Sequence, residues 1–387
     1  MNKSIVVDAD GHIMEPSDLW EKNIEARFKD RALRIRKDDN GLEYMEIDGK
    51  KSKIMNEGVF GGYSGFGASL EDRENIWLKS GGIDYEDARF PAAKDPDERI
   101  KWLDDNQIDA TVIYPSMGIS WQTECQDPQL SAAYCRVYND WLSNFCSRHR
   151  NRLIPVAQVP LIDINEGVKE IKRAAKLDMK GVYVFAPTVN GIRYGDPYYD
   201  PFWAEAEDLE MPIAIHVSHN PEFVGHHLYS KENSGRGPGE IRWFHAMMIN
   251  GDCVLAFTSL FAGAVFDRFP NLKVGVVETG CGWIAHWLDF MDSKFEMLRF
   301  EMKIKHRPSE YFKRQCFISG EPDETTIPAM AGLIGADKLV WGSDYPHTEG
   351  HPNPVEEIKC AVAPLPALDQ ALILGENAAR LYDINPC

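Results

Sequence analysis

The sequence has no uninterrupted run of about 18 apolar residues, so it encodes nothing that looks like a membrane-spanning helix. It has no C-x-x-C pair either. Its eight cysteines are scattered at 125, 135, 146, 253, 281, 316, 360 and 387, which excludes a disulfide-built scaffold and a zinc knuckle. Positive charge is in deficit: 42 Lys and Arg against 60 Asp and Glu leave −18, which argues against nucleic acid as a partner. The opening MNKSIVVDAD meets acidic residues before any signal-length apolar stretch, so a cytoplasmic location is expected. The rest is ordinary globular composition, 44% hydrophobic and 26% charged over 387 residues. That length suffices for one barrel-sized domain or two smaller ones.

What recurs is a short β-branched run, a polar turn and then a helical pattern. SIVV (4–7) leads into Asp8, Asp10 and His12. DATVIYPS (109–116), IPVAQVP (154–160), GVYVFAP (181–187), MPIAIHVSH (211–219), LKVGVVETG (272–280), CFISG (316–320) and KLVWGSD (338–344) follow. Apolar runs this continuous suit parallel strands covered by helices. Helical patterns such as 130–149 and 168–178 lie between them. Eight strands alternating with helices predict an α/β fold, a (β/α)8 TIM barrel over a single domain of residues 1–387. A doubly wound sheet is the alternative, but no Gly-rich phosphate loop follows the first strand.

Two stretches interrupt the rhythm, after strands one and five. Residues 21–100 hold GLEYMEIDG (41–49), which reads as a small antiparallel excursion, and the glycine-rich NEGVFGGYSGFGASL (56–70). Such a segment can act as a lid over the barrel mouth or as an oligomerisation surface, and both uses stay open. Residues 219–248 combine glycines, charges, aromatics and four histidines, the make-up of a substrate-facing wall.

Asp10 and His12 are two apart at a strand end, so a carboxylate and an imidazole point the same way. His216 in IAIHV and Asp344 closing VWGSD stand at two further strand ends. Apolar strands rarely carry charge without a partner, and four such ligands at three strand ends suit one divalent cation.

These residues lie in DADGHIMEP, AIHVSHNP, FDRFPNLKVGVVETGCGWIAHWLD and VWGSDYPHTEG. In that order, and with the strands between them spanning essentially the whole chain, the segments resemble the amidohydrolase superfamily. The nearest branch is that of aminocarboxymuconate-semialdehyde decarboxylase and the aromatic-acid decarboxylases. The resemblance implies a metal-dependent barrel with Asp10 and His12 as first and second ligands, His216 as the strand-five ligand, and Asp344 beside metal and water. Many members carry a histidine after strand six, whereas Glu278 stands there here. The usual histidine mechanism therefore does not transfer. Glu278 is read as a catalytic base or ligand, with a structural ion pair as its alternative.

Further candidates each carry a structural alternative. Glu15 either turns toward the cation or satisfies a turn or an arginine, and Asp8 supports its strand end. His219 touches substrate or closes the HNP turn; His226 and His227 face water. His245 contacts the site or packs on a helix. Arg242 pairs with a substrate carboxylate or with Glu240. Trp283 walls the pocket or packs in the core, and His347 orients the last loop or meets substrate. Cys281 lacks a visible base, so covalent catalysis is not expected.

The expected activity is metal-dependent non-oxidative decarboxylation or hydrolysis of a small carboxylated substrate, with Asp344 or Glu278 handling protons. Zinc is expected first, then manganese. A dinuclear iron or iron–manganese oxygenase using Glu15, His245 and Glu278 is an alternative, so the ion count stays at one or two. A second alternative is a structural or regulatory partner subunit. Either way a homo-dimer or hetero-oligomer is expected.

Overall fold

The computed structural model describes residues 4–53, 65, 84–87, 90–218 and 238–385, with the backbone alone at 238–242, 244–246 and 249. The first strand, β1, spans Val7–His12. It runs further than the SIVV motif indicates, so Asp8, Asp10 and His12 are strand residues and not a turn. An antiparallel sheet follows, made of β2 (Arg34–Lys37), β3 (Glu43–Ile47) and β4 (Lys50–Lys51). Along β3 buried residues (Glu43, Met45, Ile47) alternate with half-buried ones (Tyr44, Glu46), the alternation of a strand with one covered face. This sheet is the excursion expected at 41–49. Residues 54–64 and 66–83, with most of the glycine-rich tract, lie outside the described residues. Gly65 lies against Thr348 near the end of the last barrel loop: a Cβ on it would meet Thr348 Oγ1 at 2.2 Å.

Seven more strands join β1 in one parallel sheet in chain order: β5 (Ala110–Tyr114), β6 (Leu153–Gln158), β7 (Gly181–Phe185), β8 (Ile213–His216), β9 (Val274–Val277), β10 (Cys316–Gly320) and β11 (Leu339–Trp341). Every residue of these strands is buried. Both faces meet protein, which is why their sequences run apolar instead of alternating. Inward residues such as Ala9, Val112, Val156, Ala214 and Phe317 fill the barrel, while a larger cluster fills the layer between sheet and helices.

The sheet closes. Asp344 N–H donates to Asp10 O at 2.9 Å, and His12 N–H donates to Tyr345 O at 2.6 Å, so the chain just past β11 is tied to β1. That closure excludes the doubly wound alternative. It also needs a glycine, because a Cβ on Gly342 would lie 2.2 Å from Asp10 Cβ. The fold is the expected TIM barrel, and all eight strands fall within or beside the runs read from sequence.

Helix starts follow local chemistry. Asp95, Asp127 and Asp163 each accept two backbone N–H bonds at the head of Pro96–Asp105, Pro128–Cys146 and Ile164–Lys176. Such caps stabilise by about 1 kcal/mol each, and Pro96 and Pro128 sit where proline loses no bond. The insertion expected at 219–248 is not loop throughout: helix Pro238–Ala262 occupies its second part. Among the described residues no helix is long and apolar enough to cross a membrane.

Candidate metal centre

Four strand ends deliver five side chains to one place at the C-terminal mouth of the barrel. Asp10 and His12 come from β1, and His216 ends β8. Glu278 directly follows β9, and Asp344 lies three residues past β11. Glu278 and Asp344 both have left-handed backbone, φ 54° and 53°. That conformation costs a non-glycine residue about 1 kcal/mol or more and turns each carboxylate off its strand into the mouth.

His12 Nε2 is 3.6 Å from Asp10 Oδ1, 3.3 Å from Glu278 Oε2 and 3.5 Å from Asp344 Oδ1. His216 Nε2 is 3.4 Å from Asp10 Oδ1 and 3.0 Å from Glu278 Oε2. Both imidazoles face this point with a fixed nitrogen. His12 Nδ1 lies 2.8 Å from Pro115 O and His216 Nδ1 lies 2.7 Å from Val217 O. A carbonyl only accepts, so each Nδ1 carries the proton and each Nε2 presents a lone pair in the neutral ring. Asp10 Oδ1, His12 Nε2, His216 Nε2, Glu278 Oε2 and Asp344 Oδ2 are buried and find no hydrogen-bond partner. Buried polar atoms are normally satisfied, and orphaned lone pairs facing one another are the donor set of a cation site. The donor atoms of Asp10, His12, His216 and Glu278 all lie within 4.8 Å of one another.

A family model described as amidohydrolase matches residues 104–384. The chain belongs to the amidohydrolase family. That match begins after β1, so Asp10 and His12 join the site through geometry. The 2-amino-3-carboxymuconate-6-semialdehyde decarboxylase of Dictyostelium discoideum is 26% identical over 302 residues, covering 76% of this chain and 77% of that one. An amidohydrolase structure from Mycobacterium avium subsp. paratuberculosis superposes with a TM-score of 0.82 at 22% identity, over 99% of this chain and 100% of that one. A dihydroxybenzoic acid decarboxylase from Polaromonas sp. JS666, solved with bound manganese and the inhibitor 2-nitroresorcinol, superposes at 0.68 with 16% identity over 100% and 98%. At such identities the two structures speak for the barrel.

The electrostatics of this amidohydrolase site follow from crowding acids where water is scarce. Burial opposes the His216 imidazolium, but the Glu278 and Asp10 carboxylates outweigh it and hold the ring well above its usual value. Burial likewise raises Glu278, yet the His216 and His12 rings pull it well below the carboxylate range. Asp344 goes the other way: burial, then the carboxylates of Glu278, Glu349, Asp10 and Glu321, push it well up. Without a cation the cluster therefore keeps protons, and a divalent ion supplies the charge that replaces them.

The other candidates divide. Glu15 points away from the cluster and accepts N–H bonds from Ser116, Met117 and Gly118 at 2.9–3.1 Å, holding the loop after β5. His347 Nδ1 lies 2.7 Å from Asp344 Oδ1, its Nε2 lies 2.8 Å from Ser116 Oγ, and its ring lies 4.0 Å from that of His12. It orients Asp344. Trp283 donates its N–H to Gly280 O at 3.0 Å. Asp8 supports the strand end, as expected, accepting from Ser343 N, Ser343 Oγ and Thr111 Oγ1 at 2.8–2.9 Å. Burial, then Glu324, raises the Cys281 thiol, the reverse of an activated nucleophile. His219, His226 and His227, and the side chains of Arg242 and His245, lie outside the described residues. Sequence reading missed Glu321, directly after β10. Desolvation, then Glu278 and Asp10, push its carboxyl well up. An acid closing a strand was the available signal, in ISGEPD.

Proposed function

We propose that this amidohydrolase is a metal-dependent non-oxidative decarboxylase of a small carboxylated aromatic substrate. The observation that carries the reading is the convergence of orphaned donor atoms of Asp10, His12, His216 and Glu278 within 4.8 Å of one another at the barrel mouth, with Asp344 Oδ1 3.5 Å from His12 Nε2. The names of the Dictyostelium and Polaromonas relatives support the bond broken. Asp10, His12, His216 and Asp344, with Glu278, are the proposed ligands. Three of these five are carboxylates, a hard donor set that favours manganese over zinc, the metal first expected. One ion is proposed: the second candidate group, His12, Glu278, Asp344 and His347, shares His12 and Glu278 with the first.

When bound, the cation supplies Lewis acidity that draws the substrate's oxygens and takes up negative charge. The chain does the rest. Asp344 takes a proton from His347, whose Nδ1 lies 2.7 Å from its Oδ1, and delivers it to the ring carbon that bears the carboxylate. The carbon–carboxylate bond then breaks, its electron pair returns to the ring, and carbon dioxide leaves. His347, in contact with Asp344 and Ser116, steadies the donor. Glu278 and Asp10 hold the histidines toward the same point.

The lid role of residues 21–100 is proposed on the packing of Gly65 against Thr348. Exposed Trp243, Met247, Phe290 and Met297 on two helices support self-association as a homo-dimer. Among the described residues seven cysteines stand unpaired, six of them buried, which supports a reducing, cytoplasmic setting.

The test is product analysis under nitrogen with Mn²⁺-loaded and metal-stripped protein and a panel of hydroxybenzoates. Metal-dependent release of carbon dioxide supports the reading. Turnover that requires dioxygen would transfer the site to the oxygenase alternative, and hydrolysis of an ester or amide without carbon dioxide would transfer it to the hydrolase.

A further inference from the structure

Beside the donor cluster the pairing of β1 with β5 slips by one residue. Asp8 pairs with Thr111 and Gly11 with Ile113, so β1 fits one extra residue into that interval, a β-bulge. Along a regular strand side chains alternate, which would turn Asp8 and Asp10 to the same face. The bulge separates them. Val7 and Ala9 point into the barrel, and Asp10 and His12 join that side at the mouth. Asp8 faces outward, where it accepts from Thr111 Oγ1 at 2.9 Å and from Ser343 Oγ at 2.8 Å.

Arg99, from helix Pro96–Asp105, meets it there. Its side chain is 0% exposed, and among the described residues Nε, Nη1 and Nη2 find no hydrogen-bond partner. Two aromatic rings flank the guanidinium, Tyr345 with its centre at 4.5 Å and Trp102 at 5.2 Å. Asp8 is the carboxylate whose charge acts on Arg99, and Arg99 is the foremost charge offsetting the burial of Asp8. The two converge on the outward side of the bulge. A Cβ on Gly11 would lie 2.8 Å from both Arg99 Nη2 and Asp8 Oδ2, and 2.5 Å from Thr111 Oγ1. Only a residue without a side chain lets the guanidinium come so near the strand.

A buried cation without hydrogen bonds destabilises a fold, whereas an apolar side chain of similar volume would not. Its position supplies the reason for it. Gly11, which it approaches, stands between the donor residues Asp10 and His12. Tyr345, whose ring it faces, follows the donor Asp344 and accepts the His12 N–H through its carbonyl at 2.6 Å. Arg99 therefore reaches both edges of the seam where β1 meets the chain past β11.

We infer that Arg99 is a positioning residue of the metal centre: held between Tyr345 and Asp8, its cation fixes the bulge that turns Asp10 inward beside His12. It acts through Asp8, not on the donor atoms themselves. The inference rests on the metal centre and holds whichever bond the enzyme breaks.

The experiment is Mn²⁺ binding to the full-length protein, by competition with a fluorescent chelator, together with the electron paramagnetic resonance spectrum of the bound ion. Arg99→Met keeps the length of the side chain and removes its charge. It is expected to bind Mn²⁺ about tenfold more weakly and to alter the zero-field splitting of the ion that does bind. Asp8→Asn should do the same, and the double variant should lose no more than the worse single variant. Arg99→Lys, which keeps the cation, should retain more affinity than Arg99→Met. Urea unfolding reports stability separately. If Arg99→Met does not fold, Asp8→Asn carries the test with the same expected loss and spectral change. Stability lost with affinity and spectrum unchanged would make Arg99 a packing residue and overturn the inference. Additive losses in the double variant, or equal losses in the Lys and Met variants, would do so too. If the wild-type protein takes up no Mn²⁺, the metal centre itself fails and this assignment falls with it. Normal wild-type uptake with unaltered variants defeats this assignment alone.

Discussion

Outside the cluster His216 is tied by its Nδ1 bond to Val217 O and by ring contacts with Tyr114 at 5.2 Å and Tyr183 at 5.7 Å. His216→Ala is expected to weaken Mn²⁺ retention at least tenfold, measured by equilibrium dialysis; unchanged affinity would remove it from the ligand set. Asp344 behaves differently. Its carboxylate is crowded by Glu278, Asp10 and Glu321, so Asp344→Asn relieves repulsion while removing the proton donor. The expected outcome is a metal-free melting temperature at or above wild type with turnover down about 10²-fold or more. Near-normal turnover with full metal content would reject its role. The contrast marks what single residues reveal in sequence. Asp10 and His12 were legible because strand alternation fixes i and i+2 on one side. For Glu15 a structural role was legible but its partners were not, because they are backbone groups of residues 116–118, a hundred positions away.

Among elements, the barrel strands were the easiest to read, since a strand buried on both faces needs an unbroken apolar run and little else produces one so short. Their edges were harder. β1 continues through Asp8, Asp10 and His12 because Thr111, Ser343 and the closing bonds to residues 344–345 satisfy its polar groups, and no local pattern records partners that distant. Helix Pro238–Ala262 begins inside the insertion read at 219–248, where glycine, charge and histidine mask the start of its apolar pattern. The approach of β11 to β1 gives a test of closure. Gly342→Ala would drive a methyl against Asp10 Cβ, and we expect a loss of about 1–3 kcal/mol in urea unfolding together with weaker metal binding. A neutral effect on both would show that the strands have room to part.

The molecule as a whole links metal, protons and stability. In the metal-free protein His216 has a raised value, so its contribution is complete below its ordinary 6.5 and lost as pH climbs through the raised one. Asp344, also raised, acts in the same direction from its ordinary 3.8 upward. Glu278 is depressed and acts oppositely, only as pH falls below its ordinary 4.5. Metal-free protein should therefore lose thermal stability progressively as pH rises above the ordinary carboxylate range and further above the ordinary imidazole value of 6.5, and added Mn²⁺ should restore it most at the alkaline end, where fewer protons compete. A flat profile in both forms would mean that the cluster does not titrate with folding. The most direct measurement is an anomalous difference map at the manganese edge, from crystals grown with Mn²⁺. The account predicts one strong peak per chain, roughly 2.0–2.3 Å from donor atoms of Asp10, His12, His216, Glu278 and Asp344. A peak seated elsewhere, or none while these side chains bond to one another as protonated pairs, would contradict it.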